Sequence, residues 1–329
     1  MHPVLEWGIP IIAWLQGLGD GLTPLMELFT SLGTENFYLL VLPLFLWCVD
    51  VGLGIRIGLI LLVSGGLNET LKMTFGLPRP YWVSDKIRAL SADTSFGLPS
   101  GHAQTSLAIW GRLAAWARRG WVTVALGLII LLISLSRPYL GVHFPADTLA
   151  GWFVGGLLLA AFLGLERPVA LRLRRMKTRQ LILLSFGVSL LLLALGLLAW
   201  ANSPARPLPG AWIEQAARAA PGSEPIAPLS PKGILTTSGT LFGLGSGAAL
   251  LYAWGGFNTR GSLGQYAARY LLGLLGMLAI YLGLRAIFPS GEDLLSLALR
   301  YIRYAAVGVW VTYLAPRLFA ALRLSGSQT

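Results

Sequence analysis

Charged side chains are scarce here: Asp, Glu, Lys and Arg make up 12% of the 329 residues, against 55% hydrophobic. A soluble domain carries about a quarter charged residues, so this scarcity excludes an ordinary water-soluble fold. Cysteine is nearly absent. The one residue, Cys48, lies in an apolar run, which excludes a disulfide framework and a cysteine metal cluster. Histidine occurs three times, and none of the usual metal-ligand spacings appears, so neither a metal nor another cofactor is expected. Residues 1–36 contain Glu6, Asp20, Glu27 and Glu35 but no Lys or Arg. With no basic region and no A-x-A site, a removable signal peptide is not expected. No internal repeat is evident.

Long apolar runs are abundant, and the mean hydropathy is +0.68. A span needs about 20 apolar residues to cross ~30 Å of hydrocarbon. Nine candidate spans follow: 37–51, 54–74, 100–116, 121–136, 146–165, 180–201, 233–254, 266–287 and 294–314. The fold class expected is therefore all-α, a polytopic transmembrane bundle. The first span is short, and Arg300 and Arg303 interrupt the ninth. The net charge of +11 points to membrane topology rather than to nucleic acid, because basic residues collect in cytoplasmic loops. Residues 166–180 hold Arg167, Arg172, Arg174, Arg175, Lys177 and Arg179 against the single acid Glu166. Arg118 and Arg119 form another basic turn, and Arg317 and Arg323 lie near the C-terminus. An odd span count then places the acidic N-terminus outside and these segments inside.

Four regions result: an outer interfacial segment 1–36, a five-span core 37–165, a basic inner loop 166–180 and a four-span region 181–329. In the first, Leu18, Leu22, Leu25, Met26 and Phe29 recur at helical spacing behind a Thr23-Pro24 start, as in an interfacial helix. Residues 202–231 are proline-rich and predict an ordered or partly ordered outer loop.

Three short stretches fall where spans begin or end on the outer side. They read K-x6-RP (Lys72 to Pro80), PSGH (Pro99 to His102) and SR-x5-H-x3-D (Ser136 to Asp147). Ser100 suits a helix N-cap and Gly101 admits a close ligand, so unpaired N–H groups there suit an oxyanion. His102, in the first turn, is placed to give a proton to a leaving oxygen. His143 precedes the helix that Pro145 opens, and Asp147 lies four residues on, within reach of the imidazole. Such a contact sets the tautomer and stabilises positive charge on the ring. Arg79 and Arg137 can grip phosphate oxygens in pairs, and with Lys72 they neutralise a phosphoryl group. Asn68 and Glu69, near Lys72, either orient it or satisfy a polar pocket. Lys86 and Arg88 add positive charge on the same side. Taken singly, each motif is also compatible with a capped helix or a snorkelling cation.

Together these residues resemble the type 2 phosphatidic acid phosphatase superfamily, which shares its site with vanadium-dependent haloperoxidases and bacterial acid phosphatases. The resemblance covers roughly residues 30–165. It implies that His143 attacks phosphorus, with Asp147 holding the ring, and that His102 protonates the leaving group and then activates water. It implies that Lys72, Arg79, Ser100, Gly101 and Arg137 bind the phosphoryl oxygens without a metal. The substrate expected is a lipid phosphate or polyprenyl diphosphate taken from the bilayer, in a bacterial plasma membrane with the site facing the exterior. Nine spans, together with Arg79-Pro80-Tyr81-Trp82 and His143-Phe144-Pro145, are also similar to glucose 6-phosphatase, although Asp147 departs from that pattern. The rival readings are a haloperoxidase and a protein that only binds or carries a lipid phosphate. Arg285, Arg300 and Arg303 in the second half either hold an anionic head group or pair with Glu292 and Asp293.

Overall fold

The computed structural model describes residues 6–326, and every regular element among them is helical. In chain order these are α1 (Gly8–Gly17), α2 (Thr23–Ser31), α3 (Glu35–Leu44), α4 (Val51–Phe75), α5 (Pro80–Val83), α6 (Gly101–Ala117), α7 (Gly120–Tyr139) and α8 (Pro145–Leu173). There follow α9 (Thr178–Ala201), α10 (Gly210–Ala219), α11 (Lys232–Ala253), α12 (Leu263–Ile287), α13 (Leu294–Val309) and α14 (Ala315–Ala321).

Seven helical stretches are long and apolar enough to cross a membrane, so the chain is an integral membrane protein. An eighth is counted if the pair Asp20–Ser31 and Glu35–Val49, bent by 49°, forms one broken span. The differences from nine lie at two places. The expected first span, 37–51, is the second arm of that bent pair, interrupted by Pro43 and a π turn over Phe45–Val49. The expected third span is α6, which at 17 residues is only about 25 Å long. Arg118, in the left-handed conformation (φ 53°), ends it.

The described residues group into two compact units. One runs up to Phe37 and includes Leu67–Leu163 and Gly196–Ser230. All three motifs lie in it. Since α4 and α7 end, and α6 and α8 begin, at the motifs, alternating helix direction brings those four termini to one level. Gly151 and Gly155 on α8 let it press against the start of α6. A Cβ at Gly151 would lie 2.6 Å from the Ser100 carbonyl oxygen, and one at Gly155 would strike the Gln104 oxygen. This couples the second motif to the third. The proline-rich segment is ordered, as expected, and it carries a short helix. Its helix α10 sets Trp212 against Trp82 (centroids 6.3 Å apart), and the Ala227 amide donates to Thr94 O at 3.1 Å.

The other unit comprises Tyr38–Gly66, Gly164–Leu195 and the chain from Pro231 onward. Its centre is the contact of α11 with α13, where Gly239 and Gly243 face the Tyr301 and Ala305 carbonyls. Gly247 faces Thr312. Small residues at such crossings let backbones approach and gain dispersion contact. Arg300 and Arg303 do not pair with Glu292 and Asp293. Glu292 meets Lys232 at 3.3 Å, and Asp293 caps α13. Arg300 donates to Lys232 O and Thr236 Oγ1 (3.1 and 2.9 Å) and lies over Tyr304. Arg303, buried, lies over the Tyr281 and Tyr304 rings.

Candidate active site

His143 sits in the short turn between α7 and α8, where Phe144 and Pro145 start the next helix. Its Nδ1 lies 3.2 Å from Asp147 Oδ2, the i, i+4 contact expected from the spacing. The same carboxylate oxygen accepts the Phe144 amide at 2.9 Å, which locks the first turn of α8 around the ring. On the other side, His143 Nε2 faces Arg79 Nη1 at 3.1 Å. A guanidinium only donates, so Nε2 is the accepting nitrogen and the ring proton belongs on Nδ1, donated to Asp147. The geometry thus assigns the tautomer. Burial pushes the His143 imidazole well below its usual range, and the charges on Arg79, Arg137 and Lys72 push it the same way. At neutral pH the ring is uncharged and Nε2 keeps its lone pair.

Arg79 is fully buried between Pro78 and Pro80, yet every donor group is used. Nε donates to Ser95 O (2.6 Å) and Nη1 to Val142 O (2.8 Å). Nη2 reaches Ser95 Oγ (3.0 Å), Phe96 O (3.2 Å) and Asp93 Oδ2 (2.9 Å). Lys72, near the end of α4, is also buried and donates to Ser95 Oγ at 2.7 Å. Arg137 Nη2 lies 3.5 Å from Asp93 Oδ2, and its Nη1 donates to Thr30 Oγ1 at 2.5 Å. Three cations therefore converge on one carboxylate and one hydroxyl. Burial would raise the Asp93 carboxyl, but Arg79, Lys72 and Arg137 together hold it well below the usual carboxylate range.

Ser100 caps α6 as expected, its Oγ accepting from the Ala103 amide at a long 3.5 Å. Its own amide donates to Asp147 O at 2.9 Å, tying the helix start to the His143 turn. Gly101 faces Asn68, whose Oδ1 would lie 3.0 Å from a Cβ there. Asn68 does not orient Lys72. Its amide bridges Pro99 O (3.2 Å) and Gln104 Oε1 (2.9 Å), fastening α4 to the start of α6. His102 feels the charges of Arg137, Asp93, Lys72 and Arg79, and its buried Nε2 has no protein partner among the described residues. The Arg137 Nε and Asp147 Oδ1 are likewise buried without a hydrogen-bond partner. Such atoms at one place suit a polar ligand that completes them.

All eight expected residues thus belong to this one cluster or to the helix start bonded to it. Lys86 and Arg88 do not. Lys86 is exposed, and Arg88 pairs with Asp20 at 2.7 Å. Three contributors were not singled out from sequence: Asp93, Ser95 and Thr30. The faint signal was an acid in the polar tract that separates the first two motifs. Helix α2 is also more than a surface helix, since Thr30 reaches Arg137 and Gly33, just beyond it, packs on His102 (a Cβ would be 2.9 Å from Cδ2). Among the described residues no three His, Cys, Asp or Glu side chains gather as a metal site requires.

Comparison with known proteins identifies the family. The PAP2 superfamily pattern matches residues 53–168, and the pattern described as the transmembrane extension of PAP2 superfamily phosphatases matches residues 235–327. Sphingosine-1-phosphate phosphatase 1 of Mus musculus is 27% identical over an alignment of 329 residues, covering 92% of this chain and 73% of its own length. Phosphatidylglycerophosphatase B of Bacillus subtilis is 29% identical over 167 residues, 45% of this chain and 77% of its own. The glucose-6-phosphatase catalytic subunit 1 of Haplochromis nubilus is 26% identical over 278 residues, 74% of this chain and 75% of its own. With both patterns matched in order and the motif residues assembled in one site, the chain belongs to the PAP2 superfamily of phosphatases.

Proposed function

We propose that this protein hydrolyses a lipid phosphomonoester or diphosphate at the outer membrane face, through a phosphohistidine intermediate. The observation that carries the reading is His143, uncharged, with Nδ1 tied to Asp147 and Nε2 turned to the cations. In the first step Nε2 attacks phosphorus as the bond to the leaving oxygen breaks. His102 passes to that oxygen a proton that the substrate phosphate brings into the site. Arg79, Arg137 and Lys72 hold the phosphoryl oxygens as charge shifts, aided by the Ser100–Gly101 start of α6. Asp147 stabilises the positive ring formed on attack. In the second step His102, now neutral, takes a proton from water as it attacks the phosphohistidine, and phosphate leaves. No step needs a metal.

The lipid class is supported by the membrane setting and by relatives named for sphingosine 1-phosphate and phosphatidylglycerophosphate. A second reading, a soluble sugar phosphate, is favoured by the glucose-6-phosphatase relative, whose similarity extends over 74% of this chain. The basic segment 166–180 supports a site on the side away from the cytoplasm, and the reading takes the membrane to be a bacterial plasma membrane. The test is phosphate release by detergent-purified protein in EDTA. Substrates are phosphatidic acid, phosphatidylglycerol phosphate, a polyprenyl diphosphate, sphingosine 1-phosphate and glucose 6-phosphate, with His143→Ala as control. Release from a lipid class, lost in the variant, is expected. Glucose 6-phosphate alone would select the second reading. No release from any substrate would overturn both and leave a lipid-phosphate binder or carrier.

A further inference from the structure

The three cations read above as the phosphoryl seat already have an anion of the protein's own. Asp93 Oδ2 lies 2.9 Å from Arg79 Nη2 and 3.5 Å from Arg137 Nη2. Ser95 Oγ, two residues on, receives Lys72 Nζ at 2.7 Å and Arg79 Nη2 at 3.0 Å, and itself donates to Asp93 Oδ1 at 3.1 Å. The tip of one loop thus offers two oxygens to the donors that a phosphate would use. Its backbone is anchored, since the Tyr81 hydroxyl donates to Asp93 O and accepts the Asp93 amide (2.9 and 3.1 Å). Thr94 O is held by the Ala227 amide at 3.1 Å. The Asp93 side chain is not locked in the same way. It is 28% exposed, whereas Arg79, Arg137 and His143 are at most 4% exposed. A carboxylate on a fixed backbone with an open side can swing outward while its arginines stay in place. Arg79 meanwhile donates to the attacking nitrogen of His143, an engagement that a better anion would draw away.

We propose that Asp93 is a built-in stand-in for the substrate phosphate, and that the need to displace it selects dianionic monoesters over phosphodiester lipids. The idea rests on the reading of Lys72, Arg79 and Arg137 as a phosphoryl seat. Its logic is charge competition. A carboxylate and a phosphodiester each carry one negative charge, so the diester gains little by exchanging places and loses the favourable local geometry of the tethered group. A monoester carries nearly two charges at pH 7 and three terminal oxygens, enough to engage all three cations. A membrane is crowded with phosphodiester head groups. A site open to them would be occupied without turnover, and Asp93 keeps them out. Before substrate arrives the same carboxylate also relieves the repulsion between two adjacent guanidiniums.

The experiment compares full-length wild type, Asp93→Asn and Asp93→Glu. Binding of inorganic phosphate is read by calorimetry and by the phosphate-induced rise in Tm, which follows the ratio of ligand to Kd. Inhibition of monoester hydrolysis by phosphatidylglycerol is read in mixed micelles. Asp93→Asn is expected to bind phosphate at least fivefold tighter and to become sensitive to phosphatidylglycerol, while Asp93→Glu retains the exclusion. A merely structural aspartate would lower Tm without enlarging the phosphate increment, and that result would overturn the proposal. Should Asp93→Asn not purify folded, an environment-sensitive dye on Ala92→Cys, an exposed position, in a Cys48→Ser background reports the loop directly. A dye response to phosphate is expected, and none would equally overturn it. If neither wild type nor variant binds phosphate, the seat itself fails. If wild type binds and Asp93→Asn binds no tighter, only the stand-in role fails.

Discussion

At the scale of single residues, the arrangement around His143 separates binding from bond making. The Asp147 carboxylate bonds to the ring and to the Phe144 amide, while Arg79 lies against the opposite edge of the ring. Asp147→Asn retains an oxygen for Nδ1–H but removes the charge that steadies the ring once it bonds to phosphorus. On the proposed mechanism kcat falls about two to three orders of magnitude, or ~3–4 kcal/mol, with KM little changed. Steady-state kinetics on a lipid monoester checks this, and a matching rise in KM would argue against it. Arg79→Lys is more damaging to binding. A lysine offers three donors from one point, whereas Arg79 serves Ser95, Val142, His143, Phe96 and Asp93 along a plane. A drop of about 100-fold or more in kcat/KM is expected. The His143 ring also makes a pH prediction. Its pKa is depressed in the fold, so it stays neutral as pH falls through 6.5, and its protonation comes only at lower pH. With three histidines in the chain, histidine-labelled NMR with His143→Ala for assignment resolves it. A midpoint at or above 6.5 would contradict the buried, cation-flanked geometry.

Among the elements, those that proved legible in the sequence are the local ones. The His143–Asp147 pair, the Ser100 cap and the cations at helix ends all lie within one turn of a readable boundary. Asp93, Ser95 and Thr30 were not legible, because their contacts span from 14 residues (Asp93 to Arg79) to 107 (Thr30 to Arg137) with no periodic pattern. The span limits near residues 37–51 blurred for another reason. Pro43 and the π turn break an apolar run that hydropathy alone reads as continuous. The element most changed by the structure is α2, since it now belongs to the site. Thr30→Val removes the acceptor for Arg137 Nη1 while keeping the side-chain volume. A hydrogen bond to a charged group contributes about 1.5–3 kcal/mol. KM for a monoester is therefore expected to rise roughly 10-fold or more, with kcat falling less. Thr30→Ser, which restores a hydroxyl, should recover most of the loss. Equal loss in both variants would mean that α2 acts through packing rather than through that bond.

For the whole molecule the open matter is direction, and charge supplies a sharp expectation. The basic stretch runs from the last turns of α8 (Arg167, Arg172) through Arg174, Arg175 and Lys177 to Arg179 at the start of α9, whereas the loop carrying Asp93 precedes α6 at the motif level. One helix length separates the two ends of α8, so residues 145 and 173 lie on opposite sides if α8 crosses the membrane. If the six basic residues are held on the cytoplasmic side and α8 crosses, the His143 level is expected outside. The fold makes this testable with little disturbance, since the only native thiol is Cys48. In a Cys48→Ser background, Asp85→Cys lies exposed at the motif level and Arg174→Cys in the basic stretch. A membrane-impermeant thiol reagent applied to intact bacterial cells should label position 85 at once, and position 174 only after permeabilisation. The reverse pattern would place the phosphoryl seat in the cytoplasm. A lipid phosphate reaching the seat would then have to come from the inner leaflet, and the charge on 166–180 would need another cause. Labelling at both positions in intact cells would mean that α8 does not cross, so the motif level and the basic stretch would share one side.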